Sequence, residues 1–429
     1  MDLKKKNWEI GQDWASVVAS LIVIILVLAA GYKIDAPSFG PKSGLTGFNS
    51  LISEFSSSAK AINLGATFIL FLAISGIGLI LSGDSLKSYG RGFPGIFLLA
   101  LLAQILSSFE VFKNIGLETV LFSLCLGLLI SNLVGLPAWL RSAVQTELFV
   151  KIGLVLLGAT ILFGDIMQAG AFGLIQALVV VIGVWYFAFW FSRKIMKLDD
   201  EYATLLASAV SICGVSAAIA TAGAINGDKK KLSLIISLVL IVAIPMMIFM
   251  PVIAQWMGLA DEVTGAWLGG TIDTTGAVVG AGTIAGETGL KYATIIKFSQ
   301  NVLIGIAAFA ISVFWAYRNK GDEVRQRVSL NVIWQRFPKF VLGFVIVSLI
   351  FSFLIDAETA KNAGKVIKSF SSFWFNLAFI SIGLETRFSD LAKLESRKPV
   401  YSFLIAQGFN IIFTLLIAYF LFGYINFVF

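Results

Sequence analysis

Ser211-Ile-Cys-Gly-Val-Ser-Ala-Ala-Ile-Ala-Thr-Ala-Gly223 is the stretch that decides how this chain folds. It lies inside an apolar segment, Tyr202 to Ile225, long enough to cross a bilayer, yet its middle is built from Ser, Cys, Gly and Ala. A lipid-facing helix gains little from such residues because they bury little area. A close helix crossing or a bound solute does gain, because small side chains let another backbone or a ligand approach. A second stretch of the same character follows at Leu268-Gly-Gly-Thr-Ile-Asp-Thr-Thr-Gly-Ala-Val-Val-Gly-Ala-Gly282. Paired apolar segments interrupted by Gly, Ser and Thr point to a transporter's midplane binding site.

The chain around them has 429 residues, 58% of them hydrophobic and 13% charged, with a mean hydropathy of +0.90. A soluble domain of this size does not have that balance, so the bilayer is the solvent. The net charge of +7 is no nucleic-acid signal, because the basic residues cluster in short loops between apolar runs, as topology signals do. Cys125 and Cys213 both lie in apolar segments and neither belongs to a Cys-x-x-Cys pair, which argues against a disulfide framework or a thiolate metal site. The chain has no histidine, which removes zinc–histidine sites, Ser–His hydrolysis and histidine proton relays together. It also lacks a Gly-x-Gly-Asp aspartyl motif. No enzymatic activity, metal or cofactor is expected.

Apolar segments of spanning length begin near 14 and recur to about 421, which predicts an all-α polytopic membrane protein. We read residues 1–429 as a single transmembrane domain of about 11–13 spans, with an extracytoplasmic connector at 33–60 and a cytoplasmic linker at 318–338. Lys4-Lys5-Lys6 before the run Ala15 to Ala30 imitates a signal peptide, but the run is long for one, and we read it as an uncleaved first helix. The expected location is a bacterial inner membrane with a cytoplasmic N-terminus. If every segment crosses, the basic loops at Lys87–Arg91, Arg193–Lys197, Arg318–Arg327 and Lys393–Lys398 share that cytoplasmic side. One loop disagrees: Asp228-Lys-Lys-Lys231 falls outside. Re-entrant hairpins at 201–225 and 265–283 would bring it back, but broken crossing helices are the form we expect.

An internal repeat is visible as well. Gly158, Phe163 and Asp165 coincide with Gly383, Phe388 and Asp390 at a constant offset of 225 (383 − 158). The spans at 117, 147 and 170 then fall on those at 342, 372 and 395, which would cross in the opposite direction. Inverted repeats, with halves at roughly 62–225 and 265–421, are a recurring plan of secondary transporters. That offset does not pair the two Gly-rich segments with each other.

The run Cys213-Gly-Val-Ser-Ala-Ala218, with Gly265-Ala-Trp-Leu-Gly-Gly-Thr-Ile272, Val278-Val-Gly-Ala-Gly282, Lys297 and Ile382-Gly-Leu-Glu385, resembles the YeiH-like family of bacterial membrane proteins, which carries a sulfate-exporter label. The likeness runs from about residue 60 to 421. It implies an inner-membrane transporter related in architecture to bile-acid symporters and cation/proton antiporters. Members of that family often have a His-Glu or His-Asp pair followed by Val-Ala-Gln where this chain has Asp273-Thr-Thr-Gly276.

The site residues follow. A break near Cys213-Gly214 would begin a new half-helix, whose unpaired N–H groups and positive dipole end attract an anion, with Val215 beside the break and Ser216 as a cap. Ser211 would line the same break. Asp273 is a carboxylate at the centre of a span, where insertion costs roughly 2.5–3.5 kcal/mol, so it must be paired, solvated or protonated. With Thr271, Thr274, Thr275 and Gly276 around it, Asp273 is expected either to couple transport to H⁺ or Na⁺ or to cap the next half-helix. Lys297 lies in the following span with Thr294 and Asn301 on its face and Gln300 adjoining. It would neutralise an anion, pair with Asp273 or snorkel to the interface. Asn132, Lys151 and Glu385 are weaker candidates near span ends. The expected partners are a small anion such as sulfate, H⁺ or Na⁺ as coupling ion, and the lipid bilayer, with no nucleic acid. A homodimer is left open, and a cation/proton antiporter using Asp273 is the alternative function.

Overall fold

The computed structural model describes residues 10–31, 36–39, 44–55, 58–114, 118–318, 330–389 and 397–425. Lys4 to Lys6, the Arg318–Arg327 charges beyond Arg318, Asp390 of the repeat and Lys393 lie outside them. Among the described residues there is no β-strand, and nine helices are long and apolar enough to cross a membrane. The protein is an all-α polytopic membrane protein.

In chain order the principal helices are α1 (Gln12–Ala29), α2 (Ser58–Ser82), α3 (Leu86–Ser107), α4 (Thr119–Leu129), α5 (Thr146–Leu157), α6 (Phe163–Trp190), α7 (Asp200–Ser208) and α8 (Val215–Ile225). They continue with α9 (Lys229–Trp256), α10 (Asp261–Thr271), α11 (Thr275–Ala285), α12 (Glu287–Arg318), α13 (Lys339–Leu349), α14 (Ala357–Glu385) and α15 (Lys398–Ala418). They sort into two compact units: residues 1–164 with 339–387, and residues 165–338 with 388–429.

In the first unit α14 is the central element, packed on α4 and α5. Glycines make the closest approach: a Cβ on Gly127 would lie 2.5 Å from the Ile380 carbonyl oxygen, and one on Gly383 2.5 Å from that of Leu124. Phe71, Phe97, Phe373 and Trp374 fill the layer between α2, α3 and α14, with ring centroids 4.6–6.4 Å apart. Such rings supply large buried area and edge contacts together.

The second unit holds both Gly-rich segments, and here the structure departs from the expected crossing form. Lys231 Nζ lies 3.0 Å from Asp199 Oδ1 and 2.7 Å from Glu201 Oε2, and the Asp228 N–H donates to Glu201 Oε1. The start of α9 therefore touches the start of α7. A crossing pair would put residues 201 and 228 about 40 Å apart at 1.5 Å per residue. The segment 200–225 is thus a re-entrant hairpin.

The segment 261–285 is a second one. A Cβ on Gly265, near the start of α10, would lie 2.6 Å from the Gly289 carbonyl oxygen, and one on Gly282, near the end of α11, 2.8 Å from Leu290 Cα. Both open ends therefore sit at the head of α12. The hairpins precede and follow α9, whose 28 residues span about 42 Å, so they enter from opposite ends of that helix. A repeat follows that the sequence offset does not show: a hairpin and then a long helix, twice in succession, with the direction inverted.

Candidate functional site

The two hairpin tips meet. Cys213 closes a π-helical turn, Ala209–Cys213, and Gly214 then adopts φ +59°, ψ −107°, from which α8 starts. A side chain cannot replace the glycine: its Cβ would lie 2.5 Å from Val239 Cγ1 and 3.2 Å from Asp273 Cβ. The positive φ adds a backbone penalty of its own. At the other tip α10 ends at Thr271, Ile272 and Asp273 are non-helical, and Thr274 opens α11, its Oγ1 accepting from the Ala277 N–H at 3.3 Å. Val239 lies ten residues into α9 and Lys297 ten residues into α12. Both tips are thus about 15 Å deep, half the hydrocarbon thickness.

A half-helix that ends inside a bilayer exposes carbonyls that have no helical partner and no water. Here fixed side chains take them. Lys297, 1% exposed, donates to the carbonyls of Ile212 (2.7 Å) and Ile272 (2.8 Å) and to Gln300 Oε1 (3.1 Å). Gln300 Nε2 donates to the Gly270 carbonyl at 2.8 Å, and Gln407 and Asn410 of α15 donate to that of Thr271 at 3.0 and 3.2 Å. Asn410 also holds the Val210 carbonyl at 3.1 Å. One ammonium therefore ties the negative ends of both first half-helices together, and it does not snorkel. All three of its donors are committed.

The positive ends are treated differently. Among the described residues no side chain caps α8. Ser216, expected as that cap, is exposed and is the second residue of α8, whereas the cap position falls on Gly214, which has no side chain. Asp273 lies against Gly214 at this uncapped end, 1% exposed, and neither carboxylate oxygen has a hydrogen-bond partner among the described residues. Asp273 is not the cap of α11; Thr274 is. Lys297 reaches the same tip through the carbonyl of Ile272, the residue before Asp273. Ser211 Oγ, Thr271 Oγ1, Thr294 Oγ1 and Asn301 Oδ1 are buried and likewise without partners, while Asn301 Nδ2 donates to Thr275 Oγ1 at 3.2 Å. Cys213 and Gly276 are buried beside them, and Val215 is half-buried.

The structure therefore brings Ser211, Cys213, Gly214, Val215, Thr271, Asp273, Thr274, Thr275, Gly276, Lys297 and Asn301 to one crossing and leaves Ser216 exposed on the first turn of α8. Asn132, Lys151 and Glu385 belong to the first unit. Lys151 pairs with Asp13 (3.1 Å) and Glu147 (3.2 Å), Asn132 donates to the Thr386 carbonyl, and Glu385 accepts from Thr146 Oγ1. Sequence reading missed Gln407 and Asn410. Their signal was a polar ladder, Gln407, Asn410 and Thr414 at helical spacing, in an otherwise apolar span.

The family described as Conserved hypothetical protein 698 matches residues 91–402. This chain belongs to that family. It is the YeiH-like family that the Cys213–Ala218 run resembles. A UPF0324 membrane protein of Rhodopirellula baltica is 41% identical over 363 residues, which cover 83% of this chain and 67% of that protein. One of Nitratidesulfovibrio vulgaris is 39% identical over 379 residues, covering 85% and 65%. One of Nitrosomonas europaea is 28% identical over 465 residues and covers 94% of each. The chain spans about two thirds of the length of the first two relatives. No solved structure matches it.

Proposed function

We propose that the chain is a secondary transporter of a small anion, such as sulfate or a related oxyanion, coupled to H⁺ taken up by Asp273 at the hairpin crossing. The observation that carries this reading is the unpartnered Asp273 carboxylate against the uncapped start of α8. An unpartnered charge in the bilayer interior is costly, and a proton removes the cost. A neutral Asp273 leaves the N–H groups of α8 free to hold an anion, whereas an ionised one repels it. Proton and anion therefore load together, and neither loads well alone. No cofactor, metal or nucleic acid enters this scheme.

A second reading has its own support. Ser211, Thr271, Thr294, Asn301 and Asp273 present oxygens without partners, which is the donor set a hard cation takes. Cation/proton exchange at Asp273 would use it. Proteoliposomes separate the two: labelled sulfate that accumulates down an imposed pH gradient supports the anion reading, and a sodium pulse that moves protons with no sulfate flux replaces it.

The hairpins also bear on orientation. With 200–225 re-entrant, Lys229–Lys231 return to the side of Arg193–Lys197, and that departure from the positive-inside pattern disappears. Eleven spans with a cytoplasmic N-terminus in a bacterial inner membrane is the threading this favours.

A further inference from the structure

The first unit has a cavity of about 510 Å³ at the head of α14 that the hairpin site does not use. Its origin is local. α5 gives way to a 3-10 turn at Gly158–Thr160, and α13 to a π-helical segment at Ile350–Leu354, so both walls change course beside the start of α14. Gly364 of α14 faces the Ala159 carbonyl across the floor, where an added Cβ would lie 3.5 Å from that oxygen.

The lining is of two kinds. Ile161, Phe351 and Ile355 give an apolar side, and Lys361, Lys365 and Lys368 a basic one. The lysines are four and three residues apart, so they form one column on one face of α14. That column rises about 10 Å, comparable to the 5–8 Å polar layer at each face of a bilayer. Lys361 and Lys365 are exposed and have no ion-pair partner among the described residues. In the threading proposed above, they also lie on the face opposite the basic loops, where topology does not call for positive charge.

From this column and its apolar wall we infer that the cavity binds the phosphate headgroup of an anionic phospholipid, with the first acyl carbons on Phe351 and Ile355. A small inorganic anion would be served by the lysines alone. The apolar side fits an amphiphile. The inference does not depend on what the protein transports.

The test uses the full chain in nanodiscs of phosphatidylcholine with a minor fraction of phosphatidylglycerol, read by native mass spectrometry after release. Wild type should retain phosphatidylglycerol, and the pair Lys361→Gln with Lys365→Gln should retain at least fivefold less. Ala360→Leu, which narrows the cavity and leaves the charges in place, should lower retention in the same direction. Equal retention by wild type and both variants overturns the site. So does a protein that shows no preference for phosphatidylglycerol yet is stabilised in lipid-free detergent by inorganic phosphate, which would make it a free-anion site.

Discussion

Asp273→Asn should reduce sulfate accumulation driven by a pH gradient at least tenfold in proteoliposomes, while the yield and thermal stability of the folded protein do not fall. The substitution keeps size and polarity and removes only the ability to exchange a proton. Because neither Asp273 oxygen has a hydrogen-bond partner, the change breaks no bond in the resting structure. It also removes a group whose ionised form costs roughly 2.5–3.5 kcal/mol at a span centre, a gain offset by any attraction to the Lys297 ammonium, so stability should stay about level. The coupling argument makes the pH dependence specific. In wild type, sulfate affinity should increase as pH falls, because protonation vacates the positive end of α8. In Asp273→Asn, affinity should be flat with pH. A variant that still accumulates sulfate against its gradient would remove Asp273 from the mechanism.

Lys297→Met should have the opposite profile, a large loss of stability together with any loss of transport. Methionine fills a similar volume but donates nothing. The carbonyls of Ile212 and Ile272 are then left at the centre of the membrane with no partner. Interhelical hydrogen bonds in bilayers average only about 0.6 kcal/mol each and reach about 1.7. The three bonds of Lys297 thus set a scale of about 2–5 kcal/mol, and the upper part applies where a charged donor is lost to two stranded acceptors. Burying an ammonium has its own cost, which its removal returns in part. A fall of about 2–4 kcal/mol in unfolding free energy is the expected balance. A double-mutant cycle with Asp273→Asn then measures how strongly the two groups interact. A variant as stable as wild type would mean that the half-helix ends find other donors, and the ammonium would lose its structural role.

Much of this was legible in the residues, and the reason is physical. Gly and small residues in an apolar segment admit close approach, so the two interrupted stretches were legible from composition, and the structure places Asp273 and Lys297 where they meet. The direction of the chain after each break did not. A half-helix of eleven residues looks the same whether the next one continues or turns back. What settles it is tertiary: the clasp of Lys231 on Asp199 and Glu201, and the packing of Gly265 and Gly282 on one end of α12. The misplaced Lys229–Lys231 cluster was the trace this left in the sequence, and a charge bias is too soft to decide by itself. Ser216 failed as a cap because the helix starts one residue before it, so the cap position falls on Gly214. Gln407 and Asn410 were hidden for another reason: their partners lie 136 and 200 residues away along the chain.

What everything turns on is whether the Ser211–Gly223 stretch comes back to the face it left. Glu201→Cys with Asp228→Cys in an otherwise cysteine-free chain, oxidised in native membranes, tests this directly. The hairpin puts both positions at one face, with the Asp228 N–H on the Glu201 carboxylate, so an intramolecular disulfide is expected, detected as loss of alkylation at both thiols without a dimer on the gel. Two thiols that stay reduced and label from opposite sides of the membrane would show a crossing helix, and the meeting of the two tips would have to be given up.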